Sequence, residues 1–227
     1  MQGNSRSVTS NQTGPHEKLA ELVEKYLSRP FQKPISEHTR MAFNNVKQWL
    51  GDDFFESEQP LILDSCCGVG ESTQRIAALY PEARVIGLDK SLVRTSKQDK
   101  VLTLPSNAII LRADVIDFWR LAVEEGWKLA AHFLLFPNPY PKSSQVQRRW
   151  HASPSFSDIL KLGGELEVRS NWSTYIDEFS IALSIAGAKP QTQLINVRDP
   201  FTAFERKYHL SGQSIWQLKA NLIDLSI

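Results

Sequence analysis

The sequence predicts an α/β chain, a doubly wound and mainly parallel seven-stranded sheet with an antiparallel hairpin at its C-terminal edge. Three observations predict it. From Pro60 onward, short apolar runs alternate with stretches whose apolar residues recur every three or four positions, the βαβ rhythm of a parallel sheet. The first apolar run leads into a glycine-containing turn, Asp64-Ser65-Cys66-Cys67-Gly68-Val69-Gly70-Glu71. The last two runs, QLINV and SIWQLKANL, are joined by a long loop and suit a hairpin on the sheet edge.

Residues 1–15 are polar and rich in Ser, Asn, Gln and Gly, a composition that reads as a flexible tail. Residues 16–51 read as a helical extension. Leu19, Leu22, Val23, Tyr26 and Leu27 give a helix over 16–27 with one buried face, and a second helix is expected over 36–49, with Ser36 as its N-cap and Gly51 as its stop. Residues 52–227 form the main domain. Its first strand is PLILDSC, followed by a helix over 71–79, the strand RVIGLD and a helix from about residue 91. NAIILRAD, a helix over 115–125, AAHFLLF, a helix over 155–161 and ELEVRS supply strands three to five. A helix over 174–186 then leads to the final two strands.

Composition bounds the function. The 227 residues, 41 % hydrophobic and 22 % charged, are enough for one domain with a full core. With 26 basic against 25 acidic residues the net charge is +1, so any nucleic-acid contact has to come from a local patch. No apolar run has the length of a membrane-spanning helix, and MQGNSRSVTSNQTG lacks the apolar core of a secretory signal, so the cytoplasm is expected. Cys66 and Cys67, the two cysteines, are sequence neighbours poorly placed to pair and fit a reducing compartment. No His, Cys and acid cluster has metal-ligand spacing, and no metal is expected.

In an open α/β sheet ligands bind beyond the carboxyl ends of the strands, so the residues that follow each apolar run are informative. Gly68 and Gly70 let the backbone turn tightly and approach a ligand without a Cβ in the way. Thr73 stands where the dinucleotide fingerprint G-x-G-x-x-G puts its third glycine, which argues against a standard NAD site, and no phosphate-loop lysine follows the turn. Asp89 ends the second strand 19 residues after Gly70, where a carboxylate accepts from both hydroxyls of a ribose. Asp114 closes the third, in reach of an adenine amino group. Any one of Asp64, Asp89 and Asp114 could merely cap the next helix, but three in register favour a nucleoside, and S-adenosylmethionine suits the pattern better than ATP or NAD.

After the fourth strand comes Phe136-Pro137-Asn138-Pro139-Tyr140-Pro141-Lys142, stiffened by three prolines. It resembles the P-D-P-W-x-K signature of the tRNA (guanine-N7)-methyltransferases, and a basic segment, Arg148-Arg149-Trp150-His151, follows it as in that family. Leu162-Gly163-Gly164, Ser170-Asn171-Trp172 and Thr202-Ala203-Phe204-Glu205-Arg206-Lys207 resemble the family's L-x-x-G-G, T-D-W and T-x-F-E-x-R/K elements, in family order. The resemblance implies a class I, Rossmann-like methyltransferase that binds S-adenosylmethionine and tRNA. It places Gly68, Asp89 and Asp114 in the cofactor site, Lys142 in the substrate site, and Thr202 with Glu205 where the two meet.

Asn138 and Asn171 stand where the family usually has Asp, and Tyr140 replaces its Trp. Guanine N7 carries its own lone pair, so positioning dominates, whereas guanine N1–H and the N2 amine are read better by a carboxylate than by an amide. Asn138 and Glu205 are therefore the expected catalytic residues, with Asp64, Gly68, Gly70, Asp89, Asp114 and Asn138 at the cofactor. Lys142, Arg148, Arg149, Asn171, Thr202 and Glu205 are expected at the substrate, and Arg206 with Lys207 forms a second phosphate cluster. Trp150, Trp172 and Phe204 are candidate base-stacking rings; His38 and Arg40 lie where the extension could reach the site. Two alternatives stay open: a different acceptor for the same cofactor, and a non-catalytic RNA-binding relative. Neither the oligomeric state nor the tail's role is legible in the sequence.

Overall fold

The computed structural model describes residues 3–95, 103–223 and 225. Seven strands make one sheet: β1 (Leu61–Ser65), β2 (Arg84–Asp89), β3 (Ala108–Arg112), β4 (Ala131–Leu135), β5 (Glu165–Ser170), β6 (Gln191–Ile195) and β7 (Ile215–Asn221). Their order is β3-β2-β1-β4-β5-β7-β6, with β1 to β5 parallel and β7 antiparallel to both β5 and β6. β1, whose neighbours are β2 and β4, marks the point where the strand order reverses. The crevice at its carboxyl end is where such a sheet takes a ligand.

Strands buried on both faces are continuously apolar, and β1 and β4 are buried at every position. Alternate residues feed two cores. Leu61 and Leu63 join the larger one, while Ile62 packs with Ile76, Val85, Phe133 and Leu135 on the opposite face. β6, with Gln191, Thr192 and Gln193, is polar and mostly exposed, as an edge strand has to be.

Eight helices cover the sheet among the described residues: α1 (Leu19–Leu27), α2 (Glu37–Leu50), α3 (Glu71–Leu79), α4 (Leu92–Thr95), α5 (Val115–Glu124), α6 (Phe156–Leu162), α7 (Ser173–Ile185) and α8 (Ala203–Leu210). The helix expected from about residue 91 is α4, and its continuation lies outside the described residues. α8 sits inside what the sequence presents as a long loop between the last strands. Its apolar content is low, but Thr202 caps it by accepting from the Glu205 N–H at 2.9 Å. Ser36 occupies the N-cap position of α2 without capping through its side chain; its hydroxyl is turned to Asp117 on α5, to which it donates at 2.8 Å.

The expected extension shares the main core: Phe43 of α2 packs at 5.1 Å from Phe118 and 4.7 Å from Trp127. The N-terminal segment, polar enough to read as a tail, lies along the carboxyl ends of the strands. Gly3 N–H donates to the Leu210 carbonyl, Gln213 to that of Ser5, and the Ser10 hydroxyl to that of Pro141. A polar segment gains order here through hydrogen bonds to loops, with Val8 as its apolar contact to the core.

Gly87, mid-strand in β2 and opposite Asp64, lets α3 approach the sheet, since a Cβ there would collide with Thr73 Oγ1 and touch Ile110 at 3.0 Å. Replacing Gly87 with Ala is expected to lower the free energy of unfolding by about 1–3 kcal/mol through overpacking, measured from urea midpoints.

Candidate functional site

β1 ends under a turn built from left-handed residues. Cys66, Gly68 and Gly70 have φ of 66°, 64° and 93°, and at Cys66 a side chain is held where glycine is favoured. The turn is tied to the next strand by Cys67 N–H donating to Leu88 O at 2.9 Å. Beneath it Asp64 is fully buried, and its Oδ2 accepts from Ser72 at 2.6 Å and Thr73 at 2.7 Å, which fixes α3 to β1. Burial pushes the Asp64 carboxyl up to about 6 against those two hydroxyl bonds, and its Oδ1 has no partner among the described residues.

Asp89, 3 % exposed, accepts the Gly68 N–H at 3.0 Å on one oxygen and the Ser91 N–H at 2.7 Å on the other. This clamps the ends of β1 and β2 together. Asp114 caps α5 through Ile116 N–H and pairs with Lys90 at 2.9 Å. Its carboxyl titrates below the ordinary range because burial, which would raise it, is outweighed by Lys90 and the helix amides. The extension reaches this point through Thr39, whose hydroxyl accepts the Asp114 N–H at 2.9 Å. His38 and Arg40, the residues the sequence singled out there, flank that contact.

Two cavities adjoin at Cys66. The smaller, about 150 Å³, is lined by Cys66 to Val69, Leu135 and Thr202 to Phe204. The larger, about 220 Å³, is lined by Lys90, Asp114, Ile116, Asn138, Tyr140 and Trp150, again with Cys66. The structure thus gathers Gly68, Asp114, Asn138, Arg148 and Thr202 around one crevice, with Asp64, Asp89 and Gly70 supporting its floor.

The loop after β4 is strained, with φ of 56° at Phe136 and 45° at Tyr140. Asn138 is exposed at its tip and accepts weakly from Tyr140 N–H at 3.4 Å. Arg149, expected at tRNA phosphates, is instead 0 % exposed and holds this loop from below. It donates to the Tyr140 carbonyl at 2.9 and 3.2 Å, to Gln12 at 2.7 Å and to Glu178 at 2.5 Å, and lies 4.9 Å over Trp172. No donor of such a group reaches a solvent phosphate. Trp172, 9 % exposed beneath it, is equally withdrawn from base stacking. Lys142 and Arg148 remain exposed, with Arg148 5.8 Å from the Tyr140 ring.

Glu178 is the centre of this network. It accepts from Arg149 and His151 on one oxygen and from Gln12 and His16 N–H on the other. Burial would raise its carboxyl, but His151 and Arg149 hold it down at about 2.

Glu205, an expected catalytic residue, is 1 % exposed and engaged by Arg169 at 2.9 and 3.1 Å and by the Phe201 N–H. It braces Thr202 and α8 rather than presenting a free carboxylate. Arg169 escaped the sequence reading; the signal was the alternation Glu165, Glu167, Arg169 along β5, which puts three charges on one sheet face. Asn171 donates to Gln213 at 2.8 Å, leaving its carbonyl oxygen without a bond among the described residues. Arg206, expected at phosphates, pairs with Glu71 at 3.0 Å, and Arg75 pairs with Asp199 at 2.7 Å, so two ion pairs tie α3 to the segment that walls the smaller cavity.

A family model described as "Putative methyltransferase" matches residues 58–218. The chain is 28 % identical over 185 residues to a tRNA (guanine-N(7)-)-methyltransferase of Stutzerimonas stutzeri, covering 76 % of this chain and 77 % of that one. Among solved structures, an antibiotic-related methyltransferase superposes with a TM-score of 0.57 at 13 % identity, over 84 % of this chain and 96 % of that chain. A 16S rRNA (adenine(1408)-N(1))-methyltransferase variant from Catenulisporales acidiphilia, solved with its cosubstrate SAM, superposes with a TM-score of 0.52 at 15 % identity, over 76 % and 89 %. At those identities the two structures share the Rossmann-like fold and nothing finer.

A carboxyl held at about 2 against an ordinary 4.5 stabilises the fold fully above pH 4.5, and that contribution is lost as pH falls toward 2. Glu178→Gln, which leaves Arg149 buried without its counter-charge, is expected to cost about 3–5 kcal/mol at neutral pH. The same variant should show a flatter stability profile between pH 4.5 and 2, measured by urea unfolding across that range.

Proposed function

Since the chain belongs to the family of putative methyltransferases, which its residues 58–218 match, we propose that it transfers a methyl group from S-adenosylmethionine to N7 of a guanosine in tRNA. The observation that carries this reading is the pair of cavities adjoining at Cys66, one beside Asp114 and the other beside Thr202. Such a pair suits a cofactor and an acceptor base meeting at one point. The match to the S. stutzeri tRNA (guanine-N(7)-)-methyltransferase supports the acceptor.

The residues present fit the cofactor. Asp64 keeps a buried, unpartnered Oδ1, and an amino-acid ammonium supplies what that atom lacks. Asp89, oriented at the end of β2 by two backbone amides, is the carboxylate that would meet the ribose hydroxyls. Asp114 accepts from the adenine amine. Gly68 leaves the approach open, its nearest obstacle being the Phe204 ring at 4.0 Å from where a Cβ would stand. When bound, S-adenosylmethionine supplies an electrophilic methyl on a sulfonium.

The chain's own part is positioning, because guanine N7 needs no base to expose its lone pair. Asn138 at the loop tip and Asn171 at the end of β5 present amide oxygens to guanine N1–H and the N2 amine. Arg149 keeps Asn138 in place through the Tyr140 carbonyl, and Arg169 with Glu205 keeps the Thr202 wall in place. Lys142 and Arg148 take phosphates at the mouth. The reaction belongs in the cytoplasm, with tRNA; among the described residues no helix is long and apolar enough to cross a membrane.

Incubation with labelled S-adenosylmethionine and unmodified tRNA, then digestion and mass spectrometry, is expected to yield labelled 7-methylguanosine. Label on another nucleoside would overturn the acceptor; no label despite bound cofactor would overturn catalysis. Asn138→Asp is expected to raise kcat/KM about tenfold, because a carboxylate accepts guanine's donors more strongly by about 1–2 kcal/mol. A fall in kcat/KM would mean that Asn138 acts as a donor.

A further inference from the structure

Beside the end of α1, Lys25, Tyr26, residues 28–33 and Pro154 enclose an open groove of about 450 Å³ that belongs to neither cavity of the crevice. Lys25, Arg29 and Lys33 line it, all three exposed, and none is in an ion pair among the described residues. In a chain of net charge +1, three uncompensated cations on one groove are a local positive field of the kind that composition alone conceals. Two rings accompany them: Tyr26, with Lys25 Nζ 5.0 Å from its centroid, and Phe31, fixed by Arg120 at 5.7 Å. Arg120 also donates to the Lys33 carbonyl at 2.6 Å, so the connection that carries two of the cations is held in shape by α5.

The groove is linked to the crevice through one hydrogen bond. Tyr26 OH donates to Gln147 at 2.8 Å, and the next residue, Arg148, lies against Tyr140 beside Asn138. A polyanion seated on Lys25, Arg29 and Lys33 is thereby led toward the methyl-transfer site. We propose that this groove is a second docking site for the RNA substrate, its three cations taking backbone phosphates and its rings a base, an inference that rests on the tRNA reading of the crevice. Spaced phosphates with flanking bases match cations with flanking rings, a pairing that an acidic peptide or a lipid surface leaves half used. The site acts on affinity and register; it does no chemistry.

The test compares two variants of the full chain. K25Q/R29Q/K33Q empties the groove of charge. K128Q/K161Q/K189Q removes the same charge from exposed lysines before β4, β5 and β6, at the opposite end of the sheet. Binding of unmodified tRNA is read by fluorescence anisotropy at several salt concentrations, without methyl transfer, and S-adenosylmethionine affinity is measured in parallel. For the groove variant the expected result is tRNA binding weaker by about tenfold or more. The slope of log K against log salt should be shallower by about 2 to 3, and cofactor affinity should stay at the wild-type value. The opposite-end variant is expected to bind tRNA as wild type does. Equal losses in both variants, an unchanged salt slope, or loss of binding to polyglutamate or phosphatidylserine vesicles with tRNA binding intact would each overturn the proposal. If wild type makes no 7-methylguanosine yet the groove variant alone loses tRNA affinity, the crevice reading fails and the groove stands.

Discussion

Glu178 lies in the middle of α7 at 0 % exposure, and a carboxylate there is tolerable only because Arg149, His151, Gln12 and the His16 N–H all reach it. What it gives in return is a fixed Arg149. That guanidinium is the support under the Tyr140 carbonyl, and the Tyr140 backbone is in a conformation that a non-glycine residue adopts only when its surroundings impose it. The loop that carries Asn138 is thus shaped from the core outward. The polar N-terminal segment takes part through Gln12, which bonds both Arg149 and Glu178, so residues without an apolar face still have a place in the folded chain.

A second constraint acts on the other side of the crevice. Gly87 lets Thr73 come close enough to the sheet to bond Asp64, and Asp89 holds the Gly68 amide. The turn between β1 and α3 is therefore pinned by two carboxylates at adjacent strand ends. Asp64 is not used up, since its Oδ1 is buried without a partner among the described residues. Capacity of this kind, buried and already oriented, is what a nucleoside ligand requires of a rigid scaffold.

The helical extension links these regions. Thr39 of α2 meets the Asp114 amide, Ser36 meets Asp117, and Tyr26 of α1 meets Gln147 beside the strained loop. A groove on the extension and a crevice at the sheet are joined by hydrogen-bonded contacts, which makes a substrate bridging both geometrically sensible.

The strand order came from the tertiary structure, whereas the sequence by itself determined the mainly parallel sheet, its terminal hairpin, and the strand ends at which Asp64, Asp89 and Asp114 stand. Those features are local: hydrophobic period, turn chemistry and spacing lie within a few residues of one another. Arg149 illustrates what the sequence could not determine. It follows Arg148 in a basic run that looks like one surface, yet Arg148 is exposed and Arg149 is fully buried, because Gln12 and Glu178, far away along the chain, converge on it together with the nearby Tyr140 carbonyl. Glu205 shows the same limit: its neighbours in sequence are Arg206 and Lys207, while its partner is Arg169 on β5. α8 stayed hidden because a short helix of low apolar content carries little periodic signal. Which charges face solvent and which face one another was decided only by the tertiary structure, since ion pairing depends on distance in space and the sequence records only distance along the chain.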